Sequence, residues 1–506
     1  MSLTRVCGGE RGWSEVPEAG SWRTGRWRDV PPVQRRTVRF VAVSALAGLV
    51  AAGGAVGAAG PWEGGRRVAE RDRAAAAGAD RAAERPEAGR GGPGHPAAPP
   101  VLVGAGERGA ARAGAPDGLA EALGPLLKDA ALGDRHSAAV YDAATGERLY
   151  GSDEGTAYTP ASTVKLATAA AALSALGPDH RVDTTVVADG DGGIVLVGGG
   201  DPTLTARDGA GAGPQRPASL RELARSTARA LKARGKDRVA VGYDASRYAG
   251  PAVHPIGPNE NIAPVSALMV DEGRLDDSDR GPAERSTDPV ADAAGKFAGL
   301  LRDEGVGVEG DVAARRAGDR AERLAAVSSP TVAALVERTL TNSDNDIAEA
   351  LARQTALASG QEASFEGAAG AVTGRLDGLG LSGAKVADGS GLDRADQVSA
   401  DLLARLLVRA ADPRRPELRP VLTGLPVAGF TGTLRGRYGD EAAGRGLVRA
   451  KTGTLTGVNT LAGTVVDAEG RVVTFAFMAS GTGDADAAQR ALDRLAAKVA
   501  DCGCRS

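Results

Sequence analysis

Three short motifs occur in a fixed order along this chain, and together they limit what it can fold into. Ser162-Thr163-Val164-Lys165 is an S-x-x-K, Ser343-Asp344-Asn345 an S-D-N, and Lys451-Thr452-Gly453 a K-T-G. Each is weak alone, and S-x-x-K occurs a second time at Ser382-Gly383-Ala384-Lys385. Context separates the two copies. Ser162 stands at the start of a helix pattern with Lys165 one turn further on the same face. Ser382 lies between Gly378-Leu379-Gly380 and Asp388-Gly389, a loop composition, and reads as structural. S-D-N alone is common loop chemistry, and K-T-G alone is a strand ending in a turn. All three in order, in fitting contexts, point to acyl chemistry on a serine.

The residue types suit that chemistry. A serine hydroxyl needs a base beside it to attack a carbonyl. Lys165 is that base once its proton is displaced, and a second cation, Lys451, is expected to depress its pKa by like-charge repulsion. Only eight of the 61 Lys and Arg residues are lysine. A retained lysine is informative in such a chain, because arginine cannot give up its proton. The helix start at Ser162 offers a backbone N–H to a developing oxyanion. Ser343 and Asn345 are two apart in a loop, so both can face one cleft. A strand carrying Lys451-Thr452-Gly453-Thr454 offers its edge to an extended peptide. Gly453 is expected to let that peptide approach closely.

Other chemistries find little footing. The four histidines, His95, His136, His180 and His254, fall in no motif and read as core or surface residues. That disfavours a Ser-His-Asp triad. There is no HExxH or CxxC, so no metal and no cofactor is expected. A net charge of -3 leaves no general basic field for nucleic acid. Cys7, Cys502 and Cys504 lie in the two tails and supply no disulfide framework.

The chain of 506 residues is long enough for several domains. Residues 1–39 form a polar, Arg-rich tail. Residues 40–62 carry no charge. Their apolar beginning is like a signal-peptide core, and the whole run is just long enough to span a bilayer. Export is expected, as a cleaved signal or a retained anchor. Residues 63–115, rich in Ala, Arg, Gly, Pro and Glu, read as a disordered linker. Structure is expected from Asp117, with a hairpin at 136–141 and 147–151. A helix follows, capped by Thr159 with Pro160 in its first turn. Residues 181–325 hold short Val-rich strands at 184–187, 194–197 and 238–241, suggesting one or two small strand-rich domains. Helices are expected at 331–340, 346–358, 400–411 and 484–499, and strands at 447–451, 460–466 and 471–478.

Beyond the trio, the chain resembles the low-molecular-mass class C penicillin-binding proteins, the D-alanyl-D-alanine carboxypeptidase/endopeptidase family. The resemblance runs from about Asp117 to the C-terminal helix. It is carried by Tyr158-Thr-Pro-Ala-Ser-Thr-Val-Lys165, Gly198-Gly-Gly-Asp-Pro-Thr-Leu204, Asp388-Gly-Ser-Gly-Leu392, Leu425-Pro-Val-Ala-Gly429, Gly432-Thr-Leu434 and Arg449-Ala-Lys-Thr-Gly-Thr-Leu-Thr-Gly-Val458. It implies an α/β (α+β) fold, a serine β-lactamase/DD-transpeptidase-like domain with an antiparallel sheet flanked by helices. That domain would be split into 116–180 and 326–506 by the strand-rich insertion.

The resemblance also implies roles. Ser162 is the nucleophile and Lys165 its base. Ser343 relays a proton to the leaving D-alanine, and Asn345 holds Lys165 and the substrate amide. Lys451, Thr452 and Thr454 bind the terminal carboxylate, and the N–H groups of Ser162 and Thr454 form the oxyanion hole. Thr456 and Arg394 are candidates for a side-chain pocket, since all four tryptophans (Trp13, Trp22, Trp27, Trp62) precede the folded region. The implied partners are peptidoglycan stem peptides, β-lactam antibiotics as covalent inhibitors, and the membrane if the N-terminal segment is uncleaved. Two rival readings remain. One is a serine β-lactamase of this fold, although no E-x-x-L-N pattern follows Ser343. The other is a non-catalytic wall-binding or penicillin-sensing protein, against which the intact trio argues.

Overall fold

The last two long strands, at 458–466 and 472–480, are buried along almost their whole length and form the centre of the main sheet. The computed structural model describes residues 116–502, except 191, 210–212, 214 and 440–442. The tail, the uncharged run and the linker proposed for 1–115 lie outside the described residues, as do the four tryptophans. Helix α1 (Pro116–Leu127) precedes strands β1 (Arg135–Asp142) and β2 (Arg148–Ser152). The Asp142 carboxylate accepts the N–H groups of Ala144 and Thr145, which closes the expected hairpin. Strand β3 (Ala157–Tyr158), a 3-10 turn (Ala161–Val164) and α2 (Lys165–Leu176) follow.

The chain then builds a second module from β4 (Asp183–Ala188), β5 (Ile194–Val197), α3 (Leu220–Lys232), β6 (Arg238–Asp244), α4 (Pro289–Asp303), β7 (Gly307–Ala314) and β8 (Arg323–Ser328). It returns through α5 (Val332–Asn342), α6 (Asn345–Ala358), α7 (Phe365–Gly378), β9 (Val398–Ser399), α8 (Ala400–Ala411) and the short α9 (Arg419–Thr423). It closes with β10 (Arg449–Leu455), β11 (Val458–Val466), β12 (Val472–Ser480) and α10 (Ala485–Asp501).

The main sheet has the order β10-β11-β12-β1-β2, and every pair in it is antiparallel. Side chains alternate across it. Ala138 and Val140 on β1, with Val473, Phe475 and Phe477 on β12, pack against Leu123 of α1 and Leu492 and Leu495 of α10. Ala139 and Tyr141, with Ala476 and Met478, pack on the other face against α2 and α8. Both faces are therefore buried, and nearly every residue of β11 and β12 is apolar or small. This is the expected α+β architecture, an antiparallel sheet flanked by helices.

The second sheet, β7-β6-β5-β4-β8, is mixed: β5–β6 and β6–β7 are parallel, the other pairs antiparallel. The three Val-rich strands read from the sequence are present. The strand-rich description was incomplete, because α3 and α4 cover one face of the sheet through Leu223, Phe297 and Leu301. Parallel neighbours need crossover connections, and the two helices supply them. Cys502, at the end of α10, is disulfide-bonded and partly buried. Among the described residues no helix is long and apolar enough to cross a membrane.

Candidate active site

The S-x-x-K serine is presented by a tight turn rather than a capped helix. Pro160, not Thr159, holds the N-cap position, and no side chain caps it. The Thr159 hydroxyl instead donates to the Arg394 carbonyl at 3.2 Å. Ala161 adopts φ 48°, a left-handed conformation that costs a residue with a Cβ about 1–2 kcal/mol. Two glycines make room for this turn. A Cβ on Gly391 would lie 2.1 Å from the Ala161 carbonyl oxygen, and one on Gly453 would lie 2.7 Å from that of Pro160 and 2.1 Å from Thr460 Oγ1. The missing side chain of Gly453 thus points inward at the serine turn. It lets β10 pack beneath Ser162, and the close approach it permits is to the protein's own backbone.

Lys165 is fully buried. Its Nζ is 3.0 Å from Ser162 Oγ and 2.7 Å from Asn345 Oδ1, and it also donates to the Ser390 carbonyl. Its pKa falls to about 8, chiefly because burial penalises the ammonium, with Asp388, Glu349, Asp344 and Asp396 pulling the other way. The expected cause, repulsion from Lys451, is not what lowers it. That repulsion falls on Lys451, whose pKa lies well below its ordinary value through burial first and Lys165 second.

Ser343 ends α5 in the left-handed region, with φ 59° and ψ 41°. Asp344 then caps α6 by accepting the Ile347 N–H at 3.0 Å. The sharp reversal between two helices brings Ser343 and Asn345 into the cleft. Lys451, also fully buried, donates to Ser343 Oγ at 2.9 Å and to the Thr452 carbonyl at 2.6 Å. The Asn345 amide donates one N–H to the Asn261 carbonyl at 2.9 Å, a contact to the segment between β6 and α4. Ser162, Lys165 and Asn345 thus form one hydrogen-bonded group and Ser343 with Lys451 a second, the two lysines close enough for Lys165 to lower the Lys451 pKa.

Strand β10 is an edge strand, and its outer side forms the rim of the site. The Ala450 N–H points outward, to the Pro426 carbonyl at 3.0 Å. Alternation then turns the N–H groups of Thr452 and Thr454 outward as well. Among the described residues no backbone hydrogen bond reaches this edge from Thr452 to Leu455. The Thr452 hydroxyl meets that of Thr433 at 2.9 Å, so the Gly432-Thr-Leu434 stretch joins the rim. Arg394 and Thr456 come together there, the guanidinium donating to the Thr456 carbonyl at 2.7 Å. Ser382 and Lys385 lie exposed after α7.

Sequence reasoning missed the floor of the site. Glu349, Asp388, Asp396 and His254 are all buried beneath Lys165. Glu349 Oε1 accepts the N–H groups of Gly389 at 3.0 Å and Ser390 at 2.8 Å. Burial pushes Glu349 up to about 7 and, with help from Asp388, Asp396 up to about 9. Asp388 stays anionic: its pKa is lowered, burial being outweighed by His254 and by the N–H groups of Gly391 and Asp393. The only local signal was the Asp388-Gly-Ser-Gly-Leu392 stretch. His254, Glu349 and Asp388 place ligand-type atoms within 4.8 Å of one another, as do Glu272, Asp344 and Asp346. Protein groups occupy both sets. Arg274, Arg285 and Arg338 pair with the second, and in the first His254 and backbone N–H groups engage Asp388 and Glu349 Oε1, while Glu349 Oε2 is buried without a hydrogen-bond partner.

A model of the D-Ala-D-Ala carboxypeptidase 3 (S13) family matches residues 119–284 and 276–499. The chain is 37% identical over 402 residues to a carboxypeptidase of Mycobacterium tuberculosis, covering 76% of this chain and 84% of that one. It is 38% identical over 400 residues to the carboxypeptidase DacB of Mycolicibacterium smegmatis, covering 76% and 85%. The crystal structure of penicillin binding protein 4 from Haemophilus influenzae superposes with a TM-score of 0.61 at 22% identity, over 74% of this chain and 97% of that one. The structural likeness shows a shared fold.

Proposed function

The chain belongs to the D-Ala-D-Ala carboxypeptidase 3 (S13) family, and from that premise we propose a role for each residue of its cleft. The enzyme is a serine-type D-alanyl-D-alanine carboxypeptidase of the penicillin-binding class, and it acts on peptidoglycan peptides outside the cytoplasm. Its nucleophile is Ser162. The observation that carries this is the 3.0 Å contact between Ser162 Oγ and a buried lysine whose pKa is near 8. At pH 7 such a group is free amine roughly one time in ten, enough to act as a general base.

Lys165 takes the Ser162 proton as Oγ attacks the carbonyl of the penultimate D-alanine. The outward N–H of Thr454 and the N–H of Ser162 stabilise the oxyanion. The Ser162 group lies in the first turn of its helix, where N–H groups have no intrahelical acceptor. Ser343, hydrogen-bonded to Lys451, relays to the departing amine the proton that Lys165 took, so that Ser343 and Lys165 end acylation as they began it. Lys451, Thr452 and Thr454 attract the terminal carboxylate, and Asn345 holds Lys165 and one substrate amide. Arg394 and Thr456 border the substrate's side chain. Water then hydrolyses the acyl-enzyme. A β-lactam follows the first half of this path and stalls as the penicilloyl ester. The segment 181–325 is an insertion into the catalytic domain. The uncharged run at 40–62 directs export and either is cleaved or anchors the chain.

Labelled penicillin with mass spectrometry tests the core of this reading. Wild type and Ser382→Ala should gain one penicilloyl group that persists for many minutes, and Ser162→Ala none. Labelling that survives Ser162→Ala would exclude Ser162 as nucleophile, and rapid turnover of the penicilloyl group would favour a β-lactamase.

A further inference from the structure

His254 comes from the segment between β6 and α4, yet it is only 2% exposed and lies under the cleft. Its Nε2 is 3.0 Å from Asp388 Oδ2, and Phe365 meets its ring edge-on at 5.2 Å. The Ile256 N–H points at Nδ1 from 3.3 Å. An N–H aimed at Nδ1 needs a lone pair there, which leaves the ring proton on Nε2. This tautomer donates to Asp388, and it is the wrong one for a metal on Nε2.

Asp388 ties that ring to the catalytic lysine. Its carboxylate also accepts the N–H groups of Gly391 and, at 2.7 Å, Asp393. Glu349 grips the next two N–H groups of the loop, and Thr168 Oγ1 donates to the Gly389 carbonyl at 2.7 Å. The loop so fixed carries the Ser390 carbonyl that accepts from Lys165 Nζ, and Gly391, which packs on the Ala161 carbonyl. The reaction as written above makes no use of His254.

We propose that His254 is a positioning residue for Lys165: its Nε2–H holds Asp388, Asp388 holds the 388–391 loop, and the loop holds the Ser390 carbonyl on Nζ. Acylation of Ser162 then depends on how the inserted segment is seated. The titratable groups around Lys165 are Asp388, Glu349, Asp344 and Asp396, which favour its ammonium, and Lys451, on which the repulsion between the two lysines falls. Those around His254 are Asp388, Glu349 and Asp393, and together they raise its pKa although burial works against the cation. Loss of a neutral donor to Asp388 leaves the Asp388 charge less offset and opens the floor to water. Both effects raise the pKa of Lys165 from about 8.

The inference rests on acylation at Ser162, and the test reads the two separately. The second-order rate of penicillin acylation is measured against pH for wild type, His254→Gln and His254→Leu, with thermal melts to check folding. Glutamine supplies one neutral donor and should stay within about threefold of wild type, with the same pH profile. Leucine fills the space without a donor. It should acylate about tenfold more slowly at neutral pH, with the rising limb about one unit higher. A leucine variant with the wild-type rate and profile overturns the proposal, as does a folded glutamine variant as impaired as leucine. Wild type that takes no penicillin would instead sink the function itself. Should the leucine variant not fold, long-range 1H–15N NMR of the wild-type histidines decides. A proton on Nδ1 of His254 above neutral pH overturns the proposal, and one on Nε2 beside a wild-type-like glutamine variant upholds it.

Discussion

A lysine wrapped in protein behaves as a base because water is kept from it, and this has consequences at pH and at size. With Lys165 lowered to about 8, the free amine is scarce below that pH and complete above it. Penicillin acylation of the wild type should therefore rise with pH and level off beyond a midpoint near 8. A profile already level at pH 6 would contradict the assignment of Lys165 as base. Lys451 is fully buried, and its Nζ is held between Ser343 Oγ and the Thr452 carbonyl. A planar guanidinium is larger and cannot reproduce that point contact. Lys451→Arg should lose at least about tenfold in hydrolysis of a D-Ala-D-Ala peptide, as Lys451→Ala does. Near-normal activity in the arginine variant alone would mean that plain charge attraction is enough. The trio was legible in the sequence because each motif is contiguous. The floor was not, because His254, Glu349 and Asp388 are scattered along the chain and meet only through packing.

Elements, not single residues, aim the Ser162 side chain. The 3-10 turn at Ala161–Val164 is clamped by the backbone of β10 below and of the 388–391 loop beside it, each through a glycine. Gly453→Ala places a methyl group 2.1 Å from Thr460 Oγ1, so β10 or the turn must shift. Such overpacking costs about 1–3 kcal/mol and should appear as a lower melting temperature together with slower acylation. Wild-type values for both would show that the turn is not clamped there. Ser343 closes α5 in the left-handed region. Ser343→Gly and Ser343→Ala should be equally impaired in hydrolysis, yet the glycine variant should be more stable by about 1 kcal/mol. Chemical denaturation compares the two directly, and an alanine variant as stable as the glycine one would refute the strain. Most elements of the main sheet were readable from period and turn residues. Helix α7 was not, since Gly367, Gly370, Gly374 and Gly378 interrupt its pattern. Helix α3 carried a signal that went unread: Ser219 accepts the Glu222 N–H in an S-x-x-E cap.

Across the whole molecule, the module built on β4–β8 is bound to the helix that carries Asn345. Gln354 on α6 donates to the Gly199 carbonyl at 2.8 Å, Asp346 accepts from the Ala263 N–H and from Arg285, and Arg353 donates to the carbonyls of Ala249 and Ala363. Arg353 is fully buried, its guanidinium 4.3 Å above the Phe365 ring. These contacts predict one calorimetric unfolding transition for residues 116–502. Arg353→Leu should lower it by about 3 kcal/mol without splitting it, because several buried carbonyls lose their donor. Two separate transitions in the wild type would show that the modules fold independently. The rim of β10 has a further consequence at this scale. An open sheet edge invites pairing with any neighbouring chain and is a common route to aggregation. Here the segment at Pro426–Ala428 already pairs with β10 around Val448–Ala450. Only Thr452 to Leu455 is left uncovered, a span of four residues, too short an edge to pair with a full strand of a neighbouring chain.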